Sequence, residues 1–211
     1  MKKSFFVFCL AAFCFAVSAD DDAVALPRPS DNGKTLLQTM KQRRTRRDMI
    51  NRPLSLQELS NIFYAAYGIN RPDGRHVVPS ARAMFDTMIY AATPSGLYRY
   101  RPEIHRLELV RRGDFRTRCG RQTEMFERAP LVLIYVSDWN KLGNLSEIDK
   151  IAYGATHAGF SIQNVYLYAA GAGLSTVVCG AIDRPEIEKL LGFDGSRKVL
   201  YTQPIGFAAE K

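Results

Sequence analysis

Apolar residues recur along this chain with two different periods. In SLQELSNIFYAAYG (55–68), Leu59, Ile62, Phe63 and Ala66 fall three or four apart, the stripe of an amphipathic helix. Ser55 and Glu58 form a capping box at its start, and Gly68 suits the position just past its end. Leu36, Leu37 and Met40 predict a shorter helix over 33–42, and small and apolar residues predict a long one over 146–172. Strands are predicted over 87–92, 96–101 and 105–111, with a turn near Pro102-Glu103. PLVLIYVSD (130–138) reads as a strand buried on both faces. A helix is expected over much of 114–128, a loop over 69–82, a short helix capped by Asp183 and ending at Gly192, and a last strand over 198–207. Helices, then a block of strands, then helices and strands mixed make an α+β protein rather than a regular βαβ alternation.

The long helix contains Gly154, Ala155, Ala158, Gly159, Ala169 and Ala170. Internal glycines cost about 1 kcal/mol each relative to alanine, so a close approach is expected to use them. A subunit interface and ordinary core packing both fit the pattern.

The first residues stand apart. Lys2 and Lys3 precede a charge-free, Phe-rich stretch over 4–19 that ends in the small residues Val17-Ser18-Ala19, the pattern of a secretory signal peptide. The stretch falls short of the roughly 18 apolar residues a membrane span needs. Phe8 before Cys9 and Phe13 before Cys14 do not suit lipoprotein processing. The expected organisation is therefore a signal over 1–19, an extended leader over 20–32 and one domain over 33–211, exported to the periplasm or beyond and without a stable membrane anchor. The chain is 211 residues long with 46% hydrophobic content, enough for a single core. Cys119 and Cys179 remain after cleavage and are expected as free thiols, too few for a disulfide framework.

Charge changes the picture in one place. The formal net charge of +8 falls to +6 without Lys2 and Lys3, and Lys41, Arg43, Arg44, Arg46 and Arg47 supply five of that excess. A nucleic-acid binder spreads its cations over a face to meet many phosphates; here they sit in KQRRTRRD (41–48), and no nucleic-acid partner is expected. Cations at a helix C-terminus are favoured by about 0.3–1 kcal/mol each, which accounts for one or two of them. A secreted basic protein holding anionic polymers is the non-enzymatic alternative. With His76, His105 and His157 outside HExxH spacing and no CxxC, no metal site is expected. GAGLST (171–176) lacks a third glycine and follows a helix, so it is not a dinucleotide fingerprint. His157, on the long helix, reads as a packed or surface histidine.

Four blocks in order resemble the flavin-dependent nitroreductase-like superfamily, and look closest to its branch that includes the azoline oxidases of modified-peptide biosynthesis. They are RRTRR (43–47), VPSARAMFDTMIY (78–90) with GLYRY (96–100) after it, RQTEMFERAPLVLIY (121–135), and GFSIQNVYLYAAGAGLSTVVCGA (159–181). The resemblance implies a nitroreductase-like fold, a mainly antiparallel central sheet flanked by helices, in an intertwined homodimer with FMN at the interface. It implies that Arg43 and Thr45 meet the phosphate and ribityl oxygens, with Arg47 near the flavin pyrimidine. Arg44, within the same cofactor-binding stretch, and Arg46 would be the outward or structural members. Pro79, Ser80, Ala81 and Arg82 would reach the FMN of the neighbouring subunit, and Gln122 would meet the pyrimidine edge. Val178, Cys179, Gly180 and Ala181 would form the loop facing the ring, with the Gly180 N–H aimed at N5. Taken singly, Gln122 reads as a surface glutamine and Cys179 as a small buried residue. The expected chemistry is ping-pong, from a reduced donor such as NAD(P)H to a small acceptor. No catalytic side chain is named, because the flavin carries the redox step.

Overall fold

The computed structural model describes residues 22–31 and 33–209. The stretch expected as a signal peptide lies outside the described residues. Among those described, no helix is long and apolar enough to cross a membrane. In chain order the elements are β1 (Ala23–Ala25), α1 (Leu36–Gln42), β2 (Met49–Ile50), α2 (Leu56–Tyr67), β3 (Thr87–Ala92), β4 (Gly96–Arg101), β5 (Arg106–Arg112), α3 (Thr123–Arg128), β6 (Leu131–Asp138), α4 (Glu147–Ala172), β7 (Leu174–Thr176), α5 (Arg184–Leu190) and β8 (Arg197–Ala208). The strands form one sheet in the order β1-β5-β4-β3-β6-β8-β2, with β7 paired to β8. Every pairing is antiparallel, as the expected α+β class requires.

The central strand β6 explains why its sequence does not alternate. Leu131, Leu133 and Tyr135 face a core shared with α2 and α4. Val132, Ile134 and Val136 face a second core that includes Phe126, Ile187 and Leu190 from α3 and α5. Both faces are covered, so both sets of positions are apolar. Each fully buried large side chain contributes about 1.5–3 kcal/mol.

Local chemistry sets the helix ends. Ser55 Oγ accepts from the Glu58 N–H at 3.2 Å, and the Ser55 N–H donates to Glu58 Oε2 at 2.6 Å. α4 starts at Ser146, whose Oγ accepts from the Asp149 N–H, and ends at Gly173 in the left-handed region, φ 72°. Asp183 caps α5 as expected.

Several expectations need correction. Gly68 is not left-handed, at φ −64°; it is small because a Cβ there would overlap the Tyr64 ring at 2.2 Å. The helix expected over 114–128 is a 3-10 turn (Arg116–Cys119) and then α3. It breaks at extended Gly120, where the Phe126 ring would meet a Cβ at 2.0 Å. The buried Arg116 guanidinium pairs with Asp114 and donates to the carbonyls of Glu127 and Ala129, closing the end of α3. The leader is more than a lead-in, since β1 extends the sheet along β5. The α4 glycines divide. Gly154 lets Ser137 of β6 approach, where a Cβ would meet its Oγ at 2.9 Å, and Gly159 faces open space. The apolar stripe of α1 does not join the core: Leu36, Leu37 and Met40 are exposed and Thr39 is buried. Cys119 and Cys179 are free.

Candidate functional site

The basic run begins where α1 stops. The Arg43 N–H donates to Thr39 O at 2.8 Å, and the chain then runs without helix or sheet to β2. Extended backbone sends successive side chains to opposite sides, and Arg43 and Thr45 part from Arg46. Arg43 lies over the Tyr166 ring, 5.6 Å from its centroid, and Thr45 Oγ1 is 3.4 Å from the Tyr166 hydroxyl. Arg46 is tied down. Its N–H donates to Thr176 O at 3.0 Å, and its guanidinium grips Asp48 through two bonds of 3.0 and 2.5 Å. Ser175 Oγ donates to the same carboxylate at 2.8 Å. The Arg46 hydrogen bond leads in holding the Asp48 carboxyl down at about 2. Arg43, Arg44 and Arg47 have no acidic partner among the described residues, so their charges remain available to an anion.

Tyr166 joins this run to the loop after β7. Its hydroxyl accepts from the Val178 N–H at 2.8 Å. Cys179 exchanges two backbone bonds with Thr202 of β8, at 2.7 and 3.1 Å. Burial pushes the Cys179 thiol up, and the neighbouring Arg47 cation opposes it. Gly180 and Ala181 are exposed; the Gly180 carbonyl accepts from Arg184, and no partner holds its N–H among the described residues. Thr202 Oγ1 donates to Cys119 O at 2.9 Å, bringing the stretch that leads to Gln122 alongside β8. Gln122 itself is exposed, at the N-terminus of α3, with its side chain making no cap bond. Behind the loop, the buried Tyr135 hydroxyl donates to Gln203 Oε1 at 2.5 Å, and burial raises that phenol well above its ordinary range. Tyr166, Asp48, Ser175 and Thr202 were not anticipated. The Thr45–Tyr166 contact joins residues 121 apart, and no local pattern marks it.

Pro79, Ser80, Ala81 and Arg82 do not meet these residues within one chain. Ala81 donates its N–H to His157 Nε2 at 2.9 Å. His157 and Tyr166 are separated by about 13.5 Å of rise along α4 and by half a turn around it, so the two loops lie on opposite flanks of that helix. The 79–86 loop is strained. Arg82, Ala83 and Phe85 have φ of 52°, 54° and 47°, a region that costs non-glycine residues about 1–2 kcal/mol each. It is held by Ser80 Oγ accepting from the Phe85 N–H, by Lys141 Nζ donating to Phe85 O, and by His157.

The residues fit a flavin mononucleotide. The Arg43 guanidinium, without an acidic partner among the described residues, suits a phosphate dianion, which arginine meets with a bidentate fork; the Arg47 cation beside Cys179 suits an electron-rich ring edge, and an exposed backbone N–H at Gly180 suits a ring acceptor.

Known proteins resemble this chain in sequence and in fold. The sequence profile of the Nitroreductase family matches residues 40–207. A nitroreductase-like protein of Methanocaldococcus jannaschii is 30% identical over 179 residues, 81% of this chain and 90% of that protein. A crystal structure of a nitroreductase-like protein from Ralstonia eutropha superposes with a TM-score of 0.85 at 33% identity, over 93% of this chain and 94% of that one. The fold also extends to the NADPH:FMN oxidoreductase of Vibrio harveyi, solved with NAD+, at a TM-score of 0.62 and 17% identity over 85% of this chain and 70% of that one.

Proposed function

The chain belongs to the nitroreductase family of oxidoreductases, and from that premise we propose that it is an FMN-dependent enzyme working by a ping-pong mechanism as an exported homodimer. The observation that carries the reading is the cradle of Arg43, Thr45 and the 178–181 loop, drawn together by Tyr166, with Arg47 beside Cys179. FMN, when bound there, supplies reversible two-electron chemistry, so that a reduced donor such as NAD(P)H and a small acceptor react in turn.

The protein's own residues bind and orient. Arg43 and Thr45 take the phosphate and ribityl oxygens, Arg43 braced on the Tyr166 ring. Arg47 favours negative charge at the pyrimidine edge, and Gln122 offers that edge both a donor and an acceptor. The Gly180 N–H would serve the ring at N5. Arg46 and Asp48 hold the run against β7 and leave the remaining cations free. Pro79, Ser80, Ala81 and Arg82 serve the neighbouring subunit's site, consistent with their place on the far flank of α4. The exposed apolar residues Leu36, Leu37 and Met40 share the short helix α1 and support a second copy packing there, because contiguous exposed apolar surface marks an interaction face. A polymer-binding role gains nothing from this arrangement, since one of its cations is already neutralised by Asp48.

The test begins with colour. Purified protein should be yellow, or become so on FMN addition; colourless protein that cannot be reconstituted would sink the reading. Anaerobic bleaching with NADH, NADPH and a low-potential dye in parallel then identifies the donor. The comparison matters because the signal-like residues 2–19 would place the enzyme outside the compartment where NAD(P)H is made.

A further inference from the structure

We propose that His157 is a positioning residue: through a fixed neutral tautomer it locks the strained 79–86 loop in the shape that the FMN site uses. The proposal rests on the flavin reading above and assigns a task to three buried polar groups that reading leaves idle.

The Ala81 N–H donates to Nε2 of His157 at 2.9 Å, so Nε2 must carry a lone pair. The ring proton therefore sits on Nδ1, which faces Asp86 Oδ1 at 2.5 Å. The other Asp86 oxygen accepts from Ser137 Oγ at 2.5 Å, and the Asp86 carbonyl accepts from the Asp138 N–H at 2.8 Å. Asp86, His157 and Ser137 are all buried. A carboxylate orienting an imidazole fixes which ring nitrogen holds the proton. Here the free nitrogen faces a backbone amide, and no nucleophile stands at its tip. The relay anchors rather than reacts.

Its position gives that anchoring a purpose. The loop it grips carries three left-handed non-glycine residues within four positions, a shape that persists only where surrounding bonds over-determine it. Ser80 and Lys141 tie the Phe85 end of the loop, and His157 is the tie at Ala81. Gly154, one turn earlier on α4, lets Ser137 come close enough to complete the relay. His157→Leu removes the acceptor in a similar volume, and His157→Gln restores an acceptor near the position of Nε2.

The test uses the full chain and two readouts. Amide hydrogen exchange of the flavin-free protein should quicken at Ala81 by about tenfold in His157→Leu, the value of one net hydrogen bond. The amides of β3 and β6 should be unchanged, and His157→Gln should stay near wild type. FMN titration of the same proteins should show affinity falling by about tenfold in His157→Leu and returning in His157→Gln. Unchanged exchange at Ala81, or equal acceleration throughout β3 and β6, overturns the anchoring. A released loop with undiminished FMN affinity overturns its role in the site. Wild-type protein that takes up no FMN removes the flavin reading, and this role with it, while the exchange result still reports on the anchor itself.

Discussion

The loop over 43–48 and the loop over 79–86 flank α4 on opposite sides and are built on opposite principles. Among the described residues the first leaves Arg43, Arg44 and Arg47 without acidic partners, Arg43 half-buried and the other two exposed. The second rests on a carboxylate and an imidazole that are both buried, with every donor matched to an acceptor. Unpaired surface cations cost a protein little in water, and their interaction energy stays available for an anion. A buried polar network must be complete to be tolerated, and its energy goes into holding shape. Binding and stability should therefore separate cleanly when each loop is cut.

The largest expected effect falls on shape. Asp86→Ala leaves the His157 Nδ1–H and the Ser137 hydroxyl buried without their charged acceptor, and should lower unfolding free energy by about 3–5 kcal/mol. Urea denaturation measures it, and a loss under about 1 kcal/mol would mean that the relay is not what anchors this flank. Cutting the other loop should do the reverse. Arg43→Ala with Arg47→Ala removes two charge-assisted contacts and should weaken FMN binding by about a hundredfold. Its denaturation midpoint should barely move, because neither cation holds an ion pair within the described chain. If flavin content is unchanged in that double variant, the cradle is misassigned.

How much of this was legible depends on the range of each interaction. The ends of α2, α4 and α5 were readable because Ser55 with Glu58, Ser146 with Asp149, and Asp183 with Glu186 bond within four residues. β1, β2 and β7 have two or three residues each, too few to express a period, and exist only because β5 and β8 offer edges. The break at Gly120 was hidden because it depends on where the Phe126 ring lies. At the site, the resemblance named Arg43, Thr45 and Arg47 for the cradle and set Arg44 and Arg46 outside it; Arg46 is tied to Asp48, while Arg44 holds no such tie among the described residues. What ties them was out of reach. Tyr166 and Ser175 meet the run across 121 and 127 residues of sequence, and nothing in the apolar stripe of α1 tells that it stays exposed among the described residues.

A smaller effect tests how the basic run is pinned. The Asp48 carboxyl is held at about 2 in the folded protein, below the ordinary value of about 3.9. Its depressed pKa means that the Arg46–Asp48 tie stabilises the protein fully above the ordinary value and is lost as pH falls through about 2. Asp48→Asn should therefore be less stable than wild type near neutrality, by about 1 kcal/mol or less, since the Asp48 side chain is 38% exposed and solvent screens the pair. The two stability curves should converge between pH values of about 4 and 2. A constant gap across that range would assign the loss to packing instead of charge.

The smallest effect separates neighbours inside the run. Arg44 is exposed and, among the described residues, has no ion pair, no aromatic ring beneath it and no bond to β7, while Arg43 on one side lies over Tyr166 and Arg46 beyond Thr45 grips Asp48. If the run is a pool of charge, any of its arginines should count about equally, and Arg44→Ala should weaken FMN binding as much as Arg43→Ala does. If geometry selects, Arg44→Ala should change affinity by less than about threefold, the loss of a distant, screened charge, against about tenfold for Arg43→Ala. Titration of the two single variants at low and high salt makes the distinction sharper. A pooled charge loses its difference from wild type as salt rises, whereas a direct guanidinium–phosphate contact keeps most of it.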